Sequence, residues 1–155
     1  MRLFSMIFLL AACGMLAAGE PNAIINGDFK LGSAGFGVWR LVRSDLNPKL
    51  ENLPLSVEDG RLVLRNPYGE YFQLRSAEFN LPAHTAARFH TQFEGPSGKL
   101  SFCILRITPA GKWLIHRRDI RANGKSQKVE ITFDTAENGG AYMLRVYSPD
   151  KMTPA

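Results

Sequence analysis

Polar and aromatic side chains alternate with apolar ones along several short segments, an arrangement that would present them together on one surface of a sheet. Flat aromatic rings stack on the CH-rich faces of sugars, and planar amide, imidazole and guanidinium groups hydrogen-bond to sugar hydroxyls. We therefore predict a surface suited to a polyhydroxylated ligand. The candidate contacts are Tyr71, Gln73, His90, Gln92, Trp113, Arg145 and Tyr147, with Arg75 and Arg88 at the same parity on their strands. For Tyr71 and Tyr147, an ordinary half-buried strand position is the alternative.

Catalytic chemistry is poorly supported by the residue types present. Glycoside hydrolysis needs two carboxyl groups that face each other across the scissile bond, whereas the acidic residues here lie beside turns or at polar strand positions. No serine stands in a nucleophile-elbow motif, and His84, His90 and His116 lack the close spacing of metal ligands. Cys103 lies in the apolar segment LSFCILRI, which is typical of a buried, unreactive thiol. We predict that the chain is not an enzyme.

The densest basic cluster is His116-Arg117-Arg118 with Arg121. Strand alternation places Arg117 on the face opposite to His116 and Arg118, so these residues form no continuous patch. A solvated strand and loop is one interpretation. Contact with a uronate or a sulfated glycan is the other, because guanidinium pairs bidentately with carboxylate or sulfate. The net charge of +5 is modest and no nucleic-acid-binding motif is found, so nucleic acid is not an expected partner.

The elements that position these residues are short strands. Period-2 alternation dominates, and no window of 11 or more residues carries a helical stripe. Asp59-Gly60 is a strong hairpin signal, because both positions adopt positive φ readily. This pattern predicts about ten strands in an all-β, antiparallel sandwich or barrel. The predicted strands are Ala23–Phe29, Val38–Arg43, Leu55–Glu58, Arg61–Arg65, Glu70–Ser76, Glu78–Leu81, Ala86–Glu94, Lys99–Thr108, Lys112–Ile120, Gln127–Asp134 and Ala141–Ser148.

Residues 1–19 have the anatomy of a signal peptide. Arg2 precedes a short apolar run, and Ala17-Ala18-Gly19 supplies a small-residue cleavage site. We therefore predict a cleaved leader, a single domain over residues 20–155, and a secreted or periplasmic protein. The alternative is lipidation of Cys13, because Leu10-Ala11-Ala12-Cys13 resembles a lipoprotein box. Only in that case would the chain be anchored to a membrane.

With these elements in order, the sequence resembles the jelly-roll carbohydrate-binding modules of the galactose-binding-like superfold, which are often appended to secreted glycoside hydrolases. The likeness spans nearly all of the mature chain. It is carried by the opening segment Ile24–Phe29, the glycine-rich Gly35–Trp39, the pair Asp59–Leu64 and Phe72–Leu74, and the segment Leu81–Phe93.

The resemblance implies a jelly-roll β-sandwich that binds a polysaccharide or oligosaccharide without catalysis, beside a glycoside hydrolase or at the cell envelope. The family's closing strand has no counterpart after Tyr147, so the sandwich would lack its last strand. Relatives often hold a structural calcium near the first and last strands. Asn26 and Asp28 would begin such a site, although Lys30 stands where an acidic residue is common. No other cofactor is implied.

Two alternatives stay open from the sequence. One is a structural or protein-interaction sandwich of the envelope without a glycan site, and the other is a fragment of a glycoside hydrolase. In the resembling families the tryptophan after the glycine-rich loop packs inward, so we expect Trp39 in the core. The five phenylalanines Phe29, Phe89, Phe93, Phe102 and Phe133 are also expected there.

Overall fold

The computed structural model describes residues 7–11, 23–39, 55–65 and 72–148. Within these ranges, only the backbone is described for Ile7–Ala11, Val38, Trp39 and Arg65. Tyr71 lies outside these residues, as do parts of the predicted strands Val38–Arg43 and Glu70–Ser76. The prediction that the Trp39 side chain packs in the core also falls outside what is described. Among the described residues no helix has the length and apolar character needed to cross a membrane.

Eleven strands form within the described residues, and most coincide with the alternating segments of the sequence. They are β1 (Ile7–Ala11), β2 (Phe36–Trp39), β3 (Leu55–Glu58), β4 (Arg61–Arg65), β5 (Gln73–Ser76), β6 (Phe79–Leu81), β7 (Ala86–Glu94), β8 (Gly98–Thr108), β9 (Gly111–Ala122), β10 (Gln127–Asp134) and β11 (Gly140–Tyr147). Asp59 and Gly60 have φ of 49° and 69° in the β3–β4 turn, which confirms the predicted hairpin.

The strands form two antiparallel sheets with a shared apolar core. The first sheet has the order β10-β7-β1-β4-β3, and the second has the order β2-β5-β11-β8-β9, with β6 pairing to β11. Leu62, Phe89 and Ile131 of the first sheet and Phe102 and Leu144 of the second are all buried in one cluster. Burying aromatic and branched side chains between two sheets is the main source of stability in such a sandwich. The all-β antiparallel sandwich is confirmed.

Strand β1 comes from the segment predicted to be a leader. Its five residues pair with Arg61–Arg65 of β4, and Leu9–Ala11 pair with residues 92–94 of β7. This pairing does not test whether the segment is cleaved, so a cleaved leader stays a prediction.

The predicted first strand, Ala23–Phe29, is wrong, because the segment forms consecutive turns. Asn26 and Phe29 have φ of 54° and 58°, outside the strand region. The Asn26 side chain donates to the carbonyl oxygens of Gly32 and Ala34, at 2.7 and 2.8 Å, and accepts from the Leu31 amide at 2.8 Å. Phe29 is nevertheless buried, as are the other four phenylalanines expected in the core.

Candidate ligand-binding face

The outward surface of the second sheet brings together part of the predicted set. Tyr147 pairs with Gln73 and Arg145 pairs with Arg75, and directly opposed residues of an antiparallel pair point to the same face. Leu144 and Val146, which alternate with them on β11, are buried in the core. Gln73, Arg145 and Tyr147 therefore share one surface outside the core.

The β8 and β9 strands extend this surface. Tyr147 pairs with Ser101 and Arg145 pairs with Cys103. Across the next ladder, Ser101 pairs with Asp119 and Cys103 pairs with Arg117. We call this surface the Tyr147 face; it consists of Gln73, Arg75, Ser101, Cys103, Arg117, Asp119, Arg145 and Tyr147.

Two guanidinium groups lie against the ring of Tyr147. The Cζ atoms of Arg145 and Arg117 are 5.2 and 5.7 Å from the ring centroid. At this distance a cation is attracted by the electron-rich face of an aromatic ring. The ring, which is half-buried, therefore has two planar hydrogen-bond donors close to it.

Asp119 organises one end of the Tyr147 face. Arg117 donates from Nε to Oδ1 at 2.7 Å and from Nη2 to Oδ2 at 3.1 Å, and the Ser101 hydroxyl donates to Oδ1 at 2.7 Å. The Lys99 Nζ lies 3.2 Å from Oδ2. The Arg117 and Ser101 hydrogen bonds hold the pKa of Asp119 far below its usual range. Asp119 therefore stays ionised and fixes Arg117.

Cys103 forms the floor of the Tyr147 face. It is fully buried, as predicted, and burial raises the pKa of its thiol despite the opposing hydrogen bond with Arg145. The Nε atom of Arg145 is also buried and has no hydrogen-bond partner among the described residues. A buried, protonated thiol of this kind contributes to packing and is unreactive.

His90 and Gln92 lie on the other sheet. On β7 the residues Phe89, Thr91 and Phe93 are buried, so His90 and Gln92 point away from the core on the far side of the sandwich. Gln92 donates from Nε2 to the Ser126 hydroxyl at 2.5 Å. The predicted convergence of these two residues with Gln73 on one surface is wrong, because β5 and β7 belong to different sheets.

Trp113 stands at the β8–β9 hairpin and is 58% exposed. Its Nε1 donates to the Thr108 hydroxyl at 3.0 Å. It pairs with Arg106, whose neighbour on β11 is the buried Tyr142, so Trp113 lies on the opposite face of the sheet from Tyr147. Leu114 and Ile115 beside it are also exposed.

The donor set at Asn26 and Asp28 does not fit a calcium site. The Asn26 carboxamide is engaged by three backbone groups, and the Asp28 carboxylate pairs with the Lys30 ammonium at 2.8 Å. That ion pair lowers the pKa of Asp28. Calcium needs six to eight oxygen ligands, and no group of three or more acidic, histidine or cysteine residues is placed for a metal within the described residues.

Asp119 belongs to the Tyr147 face without having been predicted as a site residue, and Arg117 was considered only as part of the basic cluster with His116, Arg118 and Arg121. Alternation correctly separated Arg117 from His116 and Arg118, which pair with the buried Ile104 and Phe102. The face on which Arg117 lies depends on the register between β8 and β9, and a bulge between Ile104 and Leu105 shifts that register. The sequence pattern alone therefore could not place Arg117 on the same face as Tyr147.

Comparison with solved structures identifies the fold. No family model and no curated protein sequence matches the chain. A solved structure described as "CBM4 structure and function" superposes with a TM-score of 0.60 at 10% identity, covering 84% of this chain and 91% of that one. A second, described as "BiXyn10A CBM1 APO", gives a TM-score of 0.36 at 12% identity over 74% and 86% of the two chains. The chain therefore has the jelly-roll sandwich fold of the CBM4 structure. In this chain, the Tyr147 face is the outer surface of the second sheet.

Proposed function

We propose that this protein binds carbohydrate without catalysis, on the Tyr147 face. The observation that carries the proposal is the half-buried ring of Tyr147, flanked by the guanidinium groups of Arg145 and Arg117. A ring at the surface of a sheet accepts the CH-rich face of a sugar, and Gln73 beside it offers an amide to a hydroxyl.

The energetics of such a face suit weak, reversible binding. A sugar that stacks on one ring buries little apolar area, and its hydroxyls exchange hydrogen bonds with water for hydrogen bonds with protein at a small net gain. Polysaccharides present many identical units, so weak contact at each unit retains the protein on the polymer.

The fold supports the same function. CBM is the usual abbreviation of carbohydrate-binding module, and the CBM4 structure shares this sandwich. We further propose that the chain is exported and holds a glycoside hydrolase or the cell envelope near a polysaccharide, as its leader and its resemblance suggest.

Affinity electrophoresis in gels that contain neutral or acidic polysaccharides tests the proposal. We expect the Tyr147→Ala variant to lose about tenfold or more in affinity, because a stacked aromatic ring contributes much of the contact. The Trp113→Ala variant is the matched control, since this exposed ring lies on the opposite face. Wild-type chain that binds none of the polysaccharides would contradict the proposal.

A protein-interaction domain of the envelope is the second candidate. The exposed apolar triplet Trp113-Leu114-Ile115 on β9 supports it, because β9 is the edge strand of the second sheet as far as the structure describes the chain. If this triplet is the functional surface, Trp113→Ala will change self-association or partner capture and leave glycan retention unaltered.

A further inference from the structure

Three arginines cross the Tyr147 face in one row. Arg75 on β5 pairs with Arg145 on β11, and Arg145 and Arg117 both pair with Cys103 on β8, the strand between them. Neighbouring strands lie about 5 Å apart, so the first two arginines stand about 5 Å apart at their backbones and the third about 10 Å further on. The row thus runs across the strands of the sheet.

Cations outnumber carboxylates on this surface in the part of the chain that the structure describes. Lys99 and Arg121 form the row beyond that of Tyr147 and Asp119, and together with Arg117 and Arg145 they make four cations. Asp119 is the one carboxylate among the described residues of these rows, and Arg117, Ser101 and Lys99 already occupy it. Arg145 has no carboxylate within ion-pair distance in the described part of the chain, and it leans instead on the Tyr147 ring.

We propose that the Tyr147 face selects glycans that carry carboxylate or sulfate groups. This inference rests on the proposed carbohydrate-binding function and names its substrate class. A neutral sugar over the arginine row would take guanidinium groups out of water without compensating their charge. An anionic group would accept two parallel hydrogen bonds from one guanidinium, while the sugar ring stacks on Tyr147.

Ligand pairs that differ in charge alone test the selection. We would titrate the full chain by calorimetry with polygalacturonate and its carboxyl-reduced form, and with dextran sulfate and dextran. The charged member of at least one pair should bind about tenfold or more tighter than its neutral counterpart. Tighter binding of the uronate polymer or of the sulfated polymer identifies which anion is the natural one.

Variants of equal net charge separate a specific site from general attraction to a polyanion. Arg145→Gln removes one charge from the Tyr147 face, whereas Arg118→Gln removes one from an exposed position on the opposite face. We expect Arg145→Gln to weaken anionic binding about tenfold and Arg118→Gln to change it less than about twofold. Arg145→Lys should recover only part of the loss, because an ammonium group lacks the bidentate fork. Circular dichroism and the melting temperature show that each variant is folded.

Each other outcome has a distinct meaning. If both glutamine variants weaken binding equally, the attraction is non-specific and the inference is overturned. If dextran or the carboxyl-reduced polymer binds as tightly as its charged counterpart, the inference fails and the carbohydrate-binding function stands. If none of the four polymers and no other glycan binds, both fail.

Discussion

At the scale of single residues, Asp119 determines what the Tyr147 face can do. Its carboxylate takes three hydrogen bonds from Arg117 and Ser101, and a further ion pair with Lys99. Asp119 therefore aligns Arg117, whose guanidinium group also lies near the Tyr147 ring. One acidic residue thus fixes one of the two cationic neighbours of that ring.

This arrangement predicts an acid-dependent loss of stability. Because the folded-state pKa of Asp119 is depressed, its contribution is complete above its unfolded-state pKa of about 3.9 and is lost as the pH falls toward the folded-state value. Asp119→Asn should therefore melt lower than wild type at pH 7, and the difference should shrink at pH 2.5. The carboxylate is partly exposed, so we expect a modest effect.

The exposed carboxylate Asp134, at the end of β10, is the matched control. Asp134→Asn removes one exposed negative charge and none of the Asp119 hydrogen bonds, so it should melt close to wild type at pH 7. A constant gap between Asp119→Asn and wild type from pH 7 to pH 2.5 would contradict the assignment of Asp119 as an ionised anchor.

At the scale of elements, two turns close one end of the sandwich together. The Thr135 hydroxyl donates to the Pro82 carbonyl oxygen at 2.7 Å and accepts from the Thr85 amide at 2.8 Å. Gly139, in the turn between β10 and β11, packs its backbone against Leu81 and Ala83. The β6–β7 turn and the β10–β11 turn are therefore one packed unit that joins the two sheets.

Gly139→Ala should disrupt this unit. A Cβ at that position would stand 2.6 Å from the Leu81 carbonyl oxygen and 2.8 Å from the Ala83 amide nitrogen, and φ is +60°. Gly60→Ala is the control, because φ is +69° there and no atom lies within 4 Å of the added carbon. We expect a loss in the free energy of unfolding of about 1–2 kcal/mol at Gly60 from backbone strain. At Gly139 overpacking adds about 1–3 kcal/mol. Urea denaturation measures both, and equal losses would show that the turns are not tightly packed.

Local pattern predicted the elements well and their partners poorly. Alternation located β7, β10 and β11 closely, because each depends on which side chains of one strand are buried. Alternation failed at Ala23–Phe29, where the Asn26 side chain stabilises turns instead of a strand. Pairing between distant strands carries no local signal. Gln73 and Gln92 therefore looked equivalent in sequence, although they occupy opposite sides of the sandwich.

At the scale of the whole molecule, the first sheet depends on a segment that export would remove. β1 lies in the middle of that sheet and joins β4 to β7. With β1 absent, both strands would present unpaired backbone groups beside buried residues such as Leu62 and Phe93. A chain without residues 1–19 would therefore differ from this structure in its first sheet.

Removing residues 1–19 should lower the melting temperature and raise the tendency to aggregate, relative to the full chain of 155 residues. The reason is the loss of five residue pairs with β4 and three with β7. Leu9→Pro in the full chain should reproduce much of the loss, because Leu9 pairs with both neighbours and proline donates no backbone hydrogen bond. Leu9→Ala retains the amide and should melt above Leu9→Pro. Differential scanning calorimetry and light scattering measure the four chains side by side. Equal melting temperatures of the shortened and the full chain would contradict a contribution of β1 to folding.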